Sequence, residues 1–185
     1  MSMVEPTDLT VRRYRAGDGD RVRELNREAM AETPEWAVDA PDTDLDDVRD
    51  HYIDAGGEFL VGELDGGGSS ESGPDDGDIV ATGAVEPLDG WMAERFDAAA
   101  GTGELSRVRV DPAMQGQGIG TRIVEELARR ARRRGYRALV LNTGADNEQA
   151  RGFYESLGYA CVREETVDFD DVTLDLALYW RRVDG

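Results

Sequence analysis

The chain has 185 residues, enough for one domain with a substantial core. Its 40 acidic residues outnumber 21 basic ones for a formal charge of −19, and every basic residue is arginine, which argues against nucleic acid as the main ligand. A single histidine, His51, excludes a histidine-rich metal site, a single cysteine, Cys161, excludes an internal disulfide, and no apolar run reaches the length of a membrane span.

In chain order, residues 9–14 alternate as a first strand does. A helix is predicted over 18–30, with Val22, Leu25 and Ala29 on one face. Residues 32–41 carry Pro34, Trp36 and Pro41 and read as a loop. A second helix is predicted over 44–55, capped by Thr43 or Asp44 and ended by Gly56-Gly57. Residues 58–64 predict a strand with Phe59 and Val61 on one face and Leu60 on the other. Residues 65–78 are a run rich in Asp, Gly and Ser with nothing to bury, expected to form a flexible acidic insertion at a hairpin tip. The returning strand follows over 79–86. Residues 88–102 hold Trp91, Met92 and Phe96 in a short helical pattern that suits either packing or one wall of a substrate pocket.

Residues 104–110 predict the central strand. A long helix is predicted over 120–134, with Ile123, Val124, Leu127 and Ala131 inward and Gly135 as its C-cap. Arg129, Arg130, Arg132, Arg133 and Arg134 crowd its last turns, where cations suit the helix dipole, and read as a solvated structural face. A strand over 138–142 precedes a helix over 148–157 ended by Gly158. A final hairpin joins 159–167 to 172–180 through Asp170-Asp171. Cys161 lies in an alternating strand and is expected to be a small buried residue, not a nucleophile.

The most informative stretch is Val108-Arg109-Val110-Asp111-Pro112-Ala113-Met114-Gln115-Gly116-Gln117-Gly118-Ile119-Gly120-Thr121. It reads as a strand, a glycine-rich turn and the start of a helix. Such a junction leaves backbone N–H groups unpaired at the positive end of a helix, a ready site for phosphate or pyrophosphate. A dinucleotide fingerprint fails because its third glycine position is Thr121, and a P-loop fails because the chain has no lysine. The remaining alternative is a glycine-rich connection that holds no ligand.

The order Gln115-x-x-Gly118-x-Gly120 after a strand closely resembles the acyl-CoA signature of the GCN5-related N-acetyltransferases, the GNAT superfamily. A second block, Asn147, Ala150, Phe153, Tyr154, Gly158 and Tyr159, follows one helix and one strand later and is similar to that family's second motif. The firm resemblance covers residues 104–159. It implies an α/β (α+β) fold in one domain over 1–185: a mixed, mostly antiparallel sheet of about seven strands flanked by helices and splayed at the acyl-CoA site.

The resemblance further implies acetyl-CoA as cosubstrate. Its pantetheine arm would bond to backbone at Val108 and Val110. Its pyrophosphate would rest on the amides of Gln115, Gly116, Gln117, Gly118, Ile119 and Gly120, with Thr121 close by. Asn147 would bond the pantetheine region, and it is independently a good N-cap for the helix that follows. The backbone N–H of Val110 or a neighbour would polarise the thioester carbonyl. Tyr154 stands where the family's general acid lies, and Glu104 where several relatives place a carboxylate that deprotonates the amine through water.

The activity implied is N-acetyl transfer to a primary amine, of a small molecule or a peptide, by direct attack in a ternary complex. The alternative is a non-catalytic acyl-CoA sensor or regulatory module. Trp36, Trp91, Phe96 and Tyr179 are candidate walls of the acceptor pocket and equally candidate core, while Glu32 and Glu35 could attract a cationic amine. An exposed final hairpin makes a homodimer plausible. The acids are spread along the whole chain, and concentrated salt screens such self-repulsion to within ~3 Å at about 1 M. We therefore expect a cytoplasmic protein of a salt-accumulating halophile, consistent with a polar, acidic N-terminus that shows no signal peptide.

Overall fold

A computed structural model describes residues 9–32, 42–65, 77–96, 101–170 and 172–185. The strands are β1 (Leu9–Arg13), β2 (Glu58–Leu64), β3 (Asp78–Pro87), β4 (Thr102–Val110), β5 (Ala138–Gly144), β6 (Ala160–Phe169) and β7 (Val172–Arg182). The helices are α1 (Gly19–Ala31), α2 (Gly90–Ala93), α3 (Ile119–Arg133) and α4 (Glu148–Ser156). The strands form one seven-stranded sheet in the order β1-β2-β3-β4-β5-β7-β6. Every pair is antiparallel except β4–β5, which is parallel. The expected mixed sheet flanked by helices is therefore the observed fold.

Alternation along the strands sorts the core into layers. Leu60, Val85, Leu105 and Leu139 meet Ile123, Val124 and Leu127 of α3 on one face. Phe59, Val61 and Ala84 meet Val22 and Leu25 of α1 on the other, with Leu45, Val48 and Tyr52. The helix α3 lies close against β3 because residue 83 is glycine: a Cβ there would sit 2.6 Å from Ile123 and 2.7 Å from Leu127. Met92 is fully buried with Val140 and Leu178, and Trp91 and Phe96 pack partly buried against them. Among the described residues, no helix is long and apolar enough to cross a membrane.

Two expectations need correction, and one open alternative is decided. The second predicted helix is instead a short 3-10 turn, Thr43–Leu45, followed by a π turn, Arg49–Ile53. Tertiary ties override the helical period there: the Asp44 carboxylate, expected to cap, is drawn to Arg107 and accepts the Tyr52 hydroxyl. Cys161 is exposed, not buried, because β6 is the edge strand and a bulge between Cys161 and Arg163 breaks its alternation. Tyr179 is fully buried, with its hydroxyl accepting from Arg151 at 3.1 Å and donating to Glu155 at 2.9 Å, so it is core and not a pocket wall.

The arginines at the end of α3 are largely engaged by carboxylates. Arg129 and Arg130 bond Glu126, and Arg130 and Arg134 pair with buried Glu58. The loop around Pro34, Glu35, Trp36 and Pro41, residues 66–76 of the acidic insertion, residues 97–100 and Asp171 lie outside the described residues.

Candidate active site

The sheet divides at its centre. β4 and β5 pair only through Thr102, Gly103 and Glu104 against Ala138, Leu139 and Val140. Both strands continue, β4 to Val110 and β5 to Gly144, without pairing to each other. A gap therefore opens immediately after Glu104.

The register defines which backbone groups line that gap. Asp111 N–H donates to Val80 C=O at 2.8 Å, so it points toward β3. Polar groups alternate sides along a strand, so Val110 and Val108 turn their N–H and C=O toward the gap. Their carbonyls accept side-chain donors instead of strand partners: Val108 from Arg109 at 3.0 Å, and Val110 from Gln115 at 3.4 Å. A strand edge with no neighbouring strand is a template for an extended ligand.

A bulge in β4 sets this alternation. The register slips between Thr82 and Ala84, and Arg107 there has a φ of 54°, rare for a side chain of its size. Thr82 Oγ1 donates to the Arg107 carbonyl at 2.8 Å, and the Arg107 guanidinium is gripped by Asp42 and Asp44 at 2.6 and 2.5 Å. The tertiary grip holds the strained backbone in place.

Beyond Val110 the chain makes a 3-10 turn, Pro112–Met114, capped by the Asp111 carboxylate, which accepts from Ala113 N–H at 2.9 Å. Gly116 and Gly118 then adopt φ of 75° and 79°, where a side chain is strained, and a Cβ at either would meet nothing within 4 Å. The turn is thus an open cradle leading into α3, whose N-cap, Gly118, supplies no side-chain cap. The 15-residue helix adds its dipole to those amides. Gln115, Gly116, Gln117 and Gly118 are exposed, Ile119 is buried, and Gly120 and Thr121 are half-buried. Gly120 also has a packing reason to be small: a Cβ would lie 3.2 Å from the Phe153 ring.

Asn147 caps α4, accepting from Ala150 N–H at 3.0 Å. The helix α4 packs on the α3 side and brings Tyr154 to the core there, its ring edge-on to Phe153 and Tyr159. Burial pushes the Tyr154 phenol up to about 12, opposed by the positive charge of Arg109.

Glu104 stands on the opposite face, at the mouth of the gap. It is paired across the sheet with Glu86. Burial, reinforced by the Glu86 charge, lifts the Glu104 carboxyl to about 7. Burial also raises Glu86, which accepts from Ser106 Oγ at 3.2 Å and faces His51 Nε2 at 3.4 Å. Glu86, His51, Arg107, Arg109 and Asn26 were not legible as site residues. Their signal is the strand register and the contact of α1 with β4, neither of which a single sequence displays.

A carboxyl that ionises near neutrality, an unpaired strand edge and an open amide cradle at a helix N-terminus fit acyl transfer from a long phosphate-bearing donor. The model of the acetyltransferase (GNAT) family matches residues 22–159, and the chain belongs to that family. It is 24% identical over 162 residues to the uncharacterized N-acetyltransferase YjgM of Escherichia coli, covering 86% of each chain. It is 31% identical over 159 residues to the mycothiol acetyltransferase of Cellulomonas flavigena, spanning 84% of this chain but 41% of that protein. The fold superimposes with a TM-score of 0.71 on yncA of Salmonella typhimurium, solved with its cofactor acetyl-CoA, at 24% identity over 96% of this chain and 95% of that one. An acetyltransferase of the GNAT family from Staphylococcus aureus Mu50 also gives 0.71, at 17% identity over 95% and 99%.

Proposed function

We propose that this chain is an N-acetyltransferase that takes acetyl-CoA as donor and acetylates a primary amine by direct attack in a ternary complex, within one domain over 1–185. The observation that carries this reading is the unpaired edge of β4 running from Glu104 into the open amide turn at α3. Those residues fit the donor. The Val108 and Val110 edge suits an extended amide-bearing arm, and the amides of residues 115–120 suit a pyrophosphate.

When bound, acetyl-CoA supplies an activated acetyl thioester. The Val110 N–H faces the gap and is free to donate to the thioester oxygen. Glu104, with its carboxyl at about 7, accepts the amine proton near neutral pH, directly or through water. Tyr154 carries a phenol raised to about 12, so it keeps its proton until a thiolate needs it. Asn147 positions α4 by capping it. Acid and base approach from opposite faces of the split, which lets donor and acceptor occupy it together.

The raised carboxyl of Glu104 favours this reading over a non-catalytic sensor, because a binding module has no use for a base poised near neutrality. The test is calorimetric titration of acetyl-CoA in about molar KCl, followed by release of free thiol with an amine panel. One-site binding is expected, with Tyr154→Phe keeping donor affinity while losing about a hundredfold in turnover. Absence of binding in folded protein overturns the reading. Binding without turnover on any amine leaves the sensor.

A further inference from the structure

The face of the sheet that carries Glu104 also carries Arg109. Their partners on β3 are Glu86 and Thr82, which lie on one face by alternation, so the two side chains project on the same side about 13 Å apart along the strands. Arg109 is set apart from the other arginines that turn inward on this sheet. Arg12 holds Asp18 and Glu63, and Arg107 holds Asp42 and Asp44. Arg109 bonds only neutral acceptors: its Nε donates to Asn26 Oδ1 at 3.0 Å, and one terminal nitrogen donates to the Val108 carbonyl at 3.0 Å.

No carboxylate among the described residues pairs with Arg109, in a chain that carries 40 acids. The carboxylate whose charge acts on Arg109 is Asp42, which is already committed. It accepts from Asn26 Nδ2 at 2.6 Å and from Arg107 at 2.6 Å. Buried Asn26 thus acts as a spacer: its oxygen orients Arg109 and its amide keeps Asp42 at one remove. The second terminal nitrogen of Arg109 has no partner among the described residues, and it is not sealed from solvent, since among those residues the only buried polar side-chain atom left without a partner is the Tyr159 hydroxyl. The positive charge of the guanidinium is also felt by the Tyr154 phenol. Burial and Arg107 both act against its charge, so an arriving anion is welcome there.

We infer that Arg109 is the anchor for a carboxylate on the acceptor, so that the acceptor is a small amine bearing a carboxylate, an amino acid, with its amine directed to Glu104 and its carboxylate held by the guanidinium. The inference rests on the amine-acetyltransferase reading above. A guanidinium held through Nε and one terminal nitrogen keeps the other as a fixed donor, and charge-assisted bonds of that kind discriminate strongly against an uncharged isostere. Both groups are carried by one strand and one face, so an acceptor lying along β4 would meet the guanidinium at one end and the carboxyl at the other.

The experiment compares the twenty standard amino acids with their α-carboxamides as acceptors, by thiol release, in wild type, Arg109→Gln and Arg109→Lys. At least one free amino acid is expected to exceed its carboxamide by about tenfold to a hundredfold in kcat/KM. Arg109→Gln is expected to erase that preference mainly through KM, and Arg109→Lys to keep part of it as a point charge. Calorimetric binding of acetyl-CoA checks that each variant folds, and the wild-type preference alone decides the matter if Arg109→Gln does not. Carboxamides accepted as well as free acids, or a preference that survives Arg109→Gln, overturns the inference. Wild type that binds acetyl-CoA but acetylates only carboxamides overturns this inference alone, whereas wild type that binds no acetyl-CoA overturns the acetyltransferase reading and this with it.

Discussion

The α3 side of the split is assembled from neighbours in sequence, whereas the α1 side is assembled from segments far apart in the chain. On the first, residues 108–121 supply the strand edge, the glycine turn and the helix start in one continuous run. The groups proposed to hold the donor there are backbone amides, aimed by the φ of Gly116 and Gly118. On the second, Asn26 of α1, Asp42 and Asp44, His51, Glu86 of β3 and Glu104, Arg107 and Arg109 of β4 meet through side chains. Backbone amides are indifferent to residue type but demand a conformation. A side-chain network demands residue types and a register. The donor side should therefore be damaged by conformational strain and the acceptor side by chemistry.

The largest expected effect is on the acceptor side. Glu104→Gln removes the proposed base and should lower kcat by about a hundredfold to a thousandfold, with donor affinity unchanged by calorimetry. Wild-type kcat/KM should rise with pH through about 7, the value to which burial and Glu86 lift Glu104, and the variant should lack that limb. Stability runs the other way. The folded carboxyl at about 7 lies above its ordinary value, so the folded state holds a proton that the unfolded chain has released. The stabilisation is full below the ordinary carboxylate range and is lost as pH rises through about 7. Glu104→Gln should therefore gain in Tm relative to wild type above that pH. A wild-type rate flat from about pH 6 to 8 would remove Glu104 from the chemistry.

A smaller effect is expected on the donor side. Gly118→Val puts a β-branched side chain at a φ of 79°, a strain of about 1–3 kcal/mol, though nothing stands in the way of its Cβ. The turn must distort to relieve it. The KM for acetyl-CoA should rise about tenfold while the acceptor KM holds, the reverse of the Arg109→Gln pattern. Equal damage to both constants would mean that the two sides are coupled and do not respond separately to strain and to chemistry.

The smallest effect is on both sides at once. A charge of −19 predicts that Tm climbs with KCl between about 0.1 and 2 M, by roughly 5 °C or more, as salt screens repulsion among the acids. Differential scanning fluorimetry reads this directly. A Tm indifferent to KCl would end the halophile expectation without touching the site.

Much of the fold was legible because alternation and caps are local. β2 was read without error, and β1, β3, α3 and α4 within two residues at each end. Phe59 and Val61 do face α1 while Leu60 faces α3. The second helix misled because its apolar spacing is helical, while Asp44 and Tyr52 are held by tertiary partners that bend the segment into a 3-10 turn and a π turn. Cys161 misled because alternation reveals two faces but not that one of them, on an edge strand, lies uncovered.

The sequence by itself determined the donor side: a strand, a turn that only glycines at 116 and 118 tolerate without strain, and a long amphipathic helix, with the Asn147 cap and Tyr154 one unit further on. Each of these follows from φ preferences, capping and periodicity within a few residues. Only the tertiary structure decided that β4 parts from β5 after Glu104, that Glu86 faces Glu104, and that Asn26 separates Arg109 from Asp42. Those outcomes depend on strand register and helix docking. They are set by the sum of many weak packing contacts across the whole sheet, so no short stretch of sequence encodes them.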